Sequence, residues 1–263
     1  MSRTSIITLS SFASKGDGLH HFFGTRHVAQ LPPGEHGDRA VSSAAQHLTY
    51  QARSRTDSPL ADVVGECRFV AVKQVHGTDV LVVGDQLPSH EVLEQGWDAL
   101  ITDKPGLCLT IKTADCVPVL LFDPVRRVVA AIHAGWRGTL SQILPKTIEA
   151  MSERYGSLPQ AIRVAIGPSA APCCYEVDEP VLNRLREVCP DWSLVVSEAD
   201  EHRAKLDLRQ LVRRQGEGAG VPARQISAAD HCTICEPDLF YSYRREGSVR
   251  GTMISGIALA TGR

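Results

Sequence analysis

Between Cys67 and Ala134 the chain reads as short apolar runs broken by brief polar punctuation. Cys67-Arg-Phe-Val-Ala-Val-Lys-Gln-Val75 has the composition of a strand and stops just before His76-Gly77. Leu107 to Thr113, Val117 to Asp123 and Arg127 to Ala134 are three further runs of this kind. Only Ala114-Asp115-Cys116 separates the first two, and the third ends at Gly135. All four are too short for buried helices and are predicted strands. After Gly138 the period changes: Leu140, Ile143, Leu144, Ile148 and Met151 recur at helical spacing, with Thr139 or Ser141 as the cap and Pro145 near the start. Ile162 to Ile166 returns to strand character. Asp178 then precedes a face of Val181, Leu182, Leu185 and Val188, and Asp207 precedes Leu208, Leu211 and Val212, so both acids read as helix caps. Thr252 to Leu259 closes the series as a strand. Alternation of strands and helices predicts an α/β layered fold with a mixed sheet.

Residues 1–65 carry little of this pattern. They include His20 and His21, a polar stretch from Pro32 to Ser43 and a Ser/Thr/Arg-rich run at Ser54 to Ser58, which together read as loops with a short helix. Residues 1–263 are therefore expected to form a single domain whose motif-bearing core is 66–263. Charge changes the picture little: 28 Lys+Arg against 30 Asp+Glu leave a net charge of -2, with no basic excess for sequence-independent nucleic-acid binding. The longest run without polar side chains, Val117 to Phe122, is far short of the roughly 20 residues that span a bilayer. The N-terminus lacks the pattern of a secretory signal, so the expected location is cytoplasmic. A monomer is expected, since no coiled-coil or exposed apolar stripe stands out.

In a reducing compartment, 8 Cys direct attention to thiolates that bind metal or react. Cys67 and Cys108, inside apolar runs, read as small buried hydrophobes. Three segments instead place a metal-grade side chain at a strand end: His76, Cys116 and His133. One Cys and two His suit a zinc site with an open fourth position, although spacings of 40 and 17 residues do not by themselves establish convergence. Asp115 either caps a turn or accepts the proton of a ligand His. Arg137, at a predicted helix start, either faces an anion such as phosphate or makes a surface ion pair, and Trp136 either packs under the sheet or stacks on a base. Cys232-Thr-Ile-Cys235 has the spacing of half a structural zinc site. Completion by Cys173 and Cys174 needs neighbours that sequence does not show, and the preferred reading is buried thiols lining the pocket. Gly216-Glu-Gly-Ala-Gly220 follows a helix and reads as its C-terminal turn, not a phosphate loop.

Six ordered motifs add a resemblance: Gln74-Val-His-Gly77, Asp98-Ala-Leu-Ile-Thr-Asp103, Thr113-Ala-Asp-Cys116, His133-Ala-Gly-Trp-Arg-Gly138, Cys173-Cys-Tyr-Glu-Val177 and the run Cys232 to Arg245. Over roughly residues 68–260 the chain resembles the laccase-domain family, also called multicopper polyphenol oxidase, peptidoglycan editing factor and purine nucleoside phosphorylase. The resemblance implies a layered α/β sandwich related to putative cysteine hydrolases, and a zinc site at His76, Cys116 and His133, which would be the catalytic centre. The family's opening motif survives only as Phe23-Gly-Thr-Arg26, without its glycine loop, and Ala171 and Val249-Arg250 also depart from the pattern. Arg26, Arg137, Tyr243 and Arg244 are the expected substrate-binding residues. The implied activity is zinc-dependent phosphorolysis of purine nucleosides (adenosine, inosine, guanosine or methylthioadenosine), with adenosine deamination alongside, so that the partners are a purine nucleoside and phosphate. Alternatives are a peptidoglycan-editing amidase that removes L-serine from a cell-wall precursor, a copper-dependent polyphenol oxidase and a non-catalytic binding protein. A multicopper oxidase needs many His and a Cys-His-Met arrangement, which 10 His and 3 Met serve poorly.

Overall fold

The computed structural model describes residues 5–13, 16–28, 60–65 and 67–261. Strands β1 (Ile6–Ile7) and β2 (Leu19–Gly24) come first, then α1 (Ala61–Val64), β3 (Arg68–Val70), β4 (Val80–Val82) and α2 (His90–Glu94). Four longer strands follow: β5 (Ala99–Thr102), β6 (Leu107–Thr113), β7 (Val117–Asp123) and β8 (Val128–Ala134). Helices α3 (Trp136–Leu140) and α4 (Ile143–Tyr155) lead to β9 (Arg163–Ile166), β10 (Glu176–Asp178) and α5 (Glu179–Val188). The chain continues through β11 (Val196–Ser197), β12 (Arg203–Leu206), α6 (Leu208–Gly218), β13 (Ile226–Ala228), α7 (Tyr243–Glu246) and β14 (Met253–Leu259).

These strands make a five-stranded sheet in the order β1-β2-β14-β6-β3 and a six-stranded sheet in the order β13-β9-β7-β8-β5-β4, both mixed, plus a small antiparallel sheet β10-β12-β11. The two large sheets face each other. Phe23, Leu109, Ile111 and Ile257 of one pack against Leu100, Leu120, Phe122, Val129 and Ala131 of the other. The opposite face of the six-stranded sheet presents Val119, Leu121, Ala130 and Ile132 to Ile143, Leu144, Ile148 and Met151 of α4 and to Leu211 and Val212 of α6. This is the layered α/β sandwich with mixed sheets expected from the sequence. Burial on both faces explains why β7 and β8 read as continuous apolar runs without a polar alternation.

Some elements differ from expectation. The N-terminal part contributes a six-residue strand, β2, paired along β14. Its His20 and His21 disguised it, yet His21 is buried beside Phe12 and accepts from the Leu9 amide through Nε2 (3.0 Å). The loops and short helix expected at 32–43 and 54–58 lie outside the described residues. The run from Cys67 keeps strand pairing only to Val70. Farther on, the Gln74 side chain takes over the role of a backbone pair: its amide donates to the Lys112 carbonyl and accepts from the Lys112 N–H, both at 2.8 Å. The helix expected after Gly138 is two helices. Gln142, at φ 68°, breaks the chain between α3 and α4, which places Pro145 in the first turn of α4, where its missing N–H costs nothing.

Candidate metal centre

Register brings the site together. In the antiparallel pair β5–β8, Ala99 lies opposite Ile132 and Leu100 opposite Ala131, and the His133 amide donates to the Asp98 carbonyl at 2.7 Å. Asp98 and His133 therefore share the face that Leu100, Val129 and Ala131 turn toward the five-stranded sheet. Cys116 lies in the three-residue connection from β6 to β7. His76 is not at a strand end but in a loop, at φ 61°. The ligating atoms of His76, Cys116 and His133 all lie within 4.8 Å of one another, with His76 Nε2 at 3.9 Å from Cys116 Sγ and the imidazole rings 4.7 Å apart, edge to face.

One buried carboxylate organises both imidazoles. Asp98 Oδ1 accepts from His133 Nδ1 (2.7 Å) and from the His76 amide (2.9 Å), while Oδ2 accepts from the amides of Gly77 (2.6 Å) and Val75 (3.2 Å). Burial would raise its pKa, but these bonds, that from His133 foremost, hold it below the usual carboxylate range. With Nδ1–H committed to Asp98, Nε2 of His133 is left to face a metal. Of the two roles the sequence left open for Asp115, acceptor of a ligand His proton or anchor of a turn, the structure shows the second and gives the first to Asp98. Asp115 accepts from Thr233 Oγ1 (2.6 Å), Ser242 Oγ (2.9 Å) and the Arg244 amide (2.7 Å), bonds that hold its backbone at φ 89° and so fix the turn carrying Cys116. The signal for Asp98 was present: a carboxylate opening an apolar run must be buried with partners.

Electrostatically the site favours the protonation pattern of a charged pair. Burial raises the Cys116 thiol, but the neighbouring His133 and His76 outweigh it and bring it down to about 6. Burial likewise lowers His133, but Cys116 and Asp98 outweigh it and lift it to about 9. Metal uptake must displace the proton this pair shares. The residues fit such an ion. The donor set is one soft thiolate and two imidazoles, the match for zinc or copper, and Gly135 leaves the necessary clearance: a Cβ there would meet His76 Cδ2 at 3.0 Å and Cys116 Sγ at 3.1 Å.

Around this centre the expected substrate-binding residues separate. Arg137 is exposed in the first turn of the five-residue helix α3, its guanidinium 4.3 Å over the Trp136 ring. Trp136 packs partly buried against the core between sheet and helices. Arg244 donates to the Glu176 carbonyl (2.7 Å) and lies 5.3 Å over the Tyr175 ring. Tyr175 was not singled out from sequence. Burial, then the Cys116 charge, pushes its phenol up to about 12, against the pull of Arg244 and Arg137, which puts all four groups in one neighbourhood. Tyr243 is exposed at the start of α7. Arg26 turns elsewhere, donating to the Pro237 carbonyl (2.5 Å) and stacking 4.6 Å over Tyr241. Arg245, also missed, ties the loop together by donating to the carbonyls of Thr233, Ile234 and Phe240. A cleft of about 500 Å³ between α4, α5 and α6 shares no residue with the metal centre.

Comparison with known proteins agrees with this picture. The family model described as multi-copper polyphenol oxidoreductase laccase matches residues 49–260. The purine nucleoside phosphorylase YlmD of Geobacillus stearothermophilus is 38% identical over 196 residues, 72% of each chain. The adenosine deaminase RL5, from an unknown prokaryotic organism, is 36% identical over 195 residues, 72% of this chain and 74% of its own. Among solved structures, the hypothetical protein YfiH of Bacillus licheniformis superposes with a TM-score of 0.78 at 28% identity, covering 97% of this chain and 96% of the other.

Proposed function

This chain belongs to the multi-copper polyphenol oxidoreductase laccase family, and from that membership we propose that it is a zinc-dependent purine nucleoside phosphorylase with adenosine deamination as a companion reaction. The observation that carries the reading is a pair of guanidinium groups with no carboxylate partner among the described residues, Arg137 over Trp136 just past His133 and Arg244 over Tyr175, close to the His76, Cys116 and His133 set. Relatives named purine nucleoside phosphorylase and adenosine deaminase support both halves of the proposal.

Zinc held by two imidazoles and a thiolate supplies Lewis acidity there. The chain's own residues do the rest. Asp98 keeps the His133 proton on Nδ1 and fixes the loop that carries His76. Arg137 and Arg244 attract phosphate and orient it by charge-assisted hydrogen bonds. The Tyr175 phenol stays protonated at neutral pH beside Cys116. Zinc is preferred to a blue-copper centre, which would add a methionine: of the two described methionines, Met151 is in the helix-side core, and the sulfur of Met253 accepts from the Tyr241 amide.

Chromatography of inosine and adenosine incubated with the purified protein, with and without phosphate, tests the reading. Release of hypoxanthine and adenine that requires phosphate is expected, and Arg137→Ala should raise the KM for phosphate ~10-fold or more at unchanged metal content. Turnover at the same rate without phosphate overturns the phosphorylase reading. A zinc-loaded protein that leaves nucleosides untouched points instead to the cell-wall amidase reaction.

A further inference from the structure

A second group of metal-grade side chains lies outside the catalytic set. Cys173 and Cys174, after β9, meet Cys232 and Cys235, after β13, and the four sulfur atoms lie within 4.8 Å of one another. Cys174 Sγ is 3.1 Å and Cys173 Sγ 3.5 Å from Cys235 Sγ. Sequence reading took these residues for buried thiols lining the pocket; in the structure only Cys232 is buried, while Cys173 and Cys235 are exposed. Neutral thiols gain little by crowding at an exposed place, and hydrophobic burial does not explain the cluster. Around a tetrahedral zinc with Zn–S bonds of 2.3 Å, sulfurs stand about 3.8 Å apart, the scale of the spacing seen.

The backbone holds the two segments together at this cluster. The two strands of chain are already in register there: Ser169 bridges Cys232 in parallel, and the Thr233 amide donates to the Ser169 carbonyl at 3.1 Å. We propose that Cys173, Cys174, Cys232 and Cys235 form a four-thiolate site for a structural zinc ion, separate from the catalytic centre. An ion there closes the 167–175 loop onto the segment that begins at Cys232. Thr233, next in the chain, reaches the Asp115 carboxylate, so the same ion steadies the turn from which Cys116 projects. The inference does not depend on which reaction the protein catalyses.

The experiment is metal analysis of the protein purified without added metal and passed over a chelating resin. Two zinc ions per chain are expected in the wild type, one in Cys116→Ala, and none in Cys116→Ala combined with Cys235→Ser. Cobalt substituted into Cys116→Ala should show intense sulfur-to-cobalt charge-transfer absorption, since that variant keeps no thiolate at the catalytic set. Wild-type protein whose cobalt form shows the charge-transfer intensity of a single thiolate overturns the proposal without any variant that could misfold. So does alkylation in denaturant and chelator, without reductant, if it finds these four cysteines oxidised to disulfides.

Discussion

Asp98 is the residue on which the site turns, because one of its hydrogen bonds fixes the His133 imidazole and three more fix the backbone that carries His76. Asp98→Asn removes the negative charge and presents an NH2 group to donors, so zinc affinity should fall ~10- to 100-fold, read by competition with a chromogenic chelator. His76, Cys116 and His133 were legible from sequence as metal-grade side chains beside apolar runs. The sequence marked Asp98 only as a carboxylate opening an apolar run, not its partner, which follows from facing His133 across two strands; for Asp115 it left two roles open, and adjacency to Cys116 does not aim its carboxylate at an imidazole. His21 illustrates the same limit at a structural position. Burial, then the neighbouring His20, lowers its pKa from 6.5 to about 4. The unfolded chain therefore binds the extra proton first, so its contribution is present above pH 6.5 and is lost as pH falls from 6.5 toward 4, about 3 kcal/mol in all. Urea unfolding across that range should show a slope that His21→Leu flattens; an unchanged slope refutes the assignment.

At the level of elements, the apolar periodicity located β6, β7, β8, β9, β14, α5 and α6 closely, because each owes its pattern to burial. It misjudged the joins, where single contacts decide. Helix α3 begins at Trp136 because Gly135 and Gly138 let it approach closely: a Cβ on Gly138 would stand 2.8 Å from the Gly77 carbonyl, pressing on the loop that carries His76. Gly138→Ala should lower stability by about 1–3 kcal/mol in chemical denaturation and weaken zinc binding with it. Gly135→Ala should separate the two effects, since its Cβ meets Cys116 Sγ and the His76 ring: zinc affinity falls while the apo-protein melts within a degree or two of wild type.

For the molecule as a whole, stability rests on the core between the two large sheets, and Phe122 is fully buried at its centre. Phe122→Ala should cost about 3–5 kcal/mol, seen as a lower urea midpoint with an unchanged slope. The layered architecture was legible, but the pairing of β2 with β14 was not, since nothing local joins residues 19–24 to residues 253–259. That pairing sets an order of events during synthesis. His76, Cys116 and His133, and the Asp98 that holds His133 and the His76 loop, leave the ribosome before residue 134, whereas β14, which lies between β2 and β6, emerges last of the described strands. A nascent chain arrested before β14 cannot complete the five-stranded sheet, and the part of the β7 and β8 face that Ile257 and Leu259 cover stays open to water until the final strand closes it.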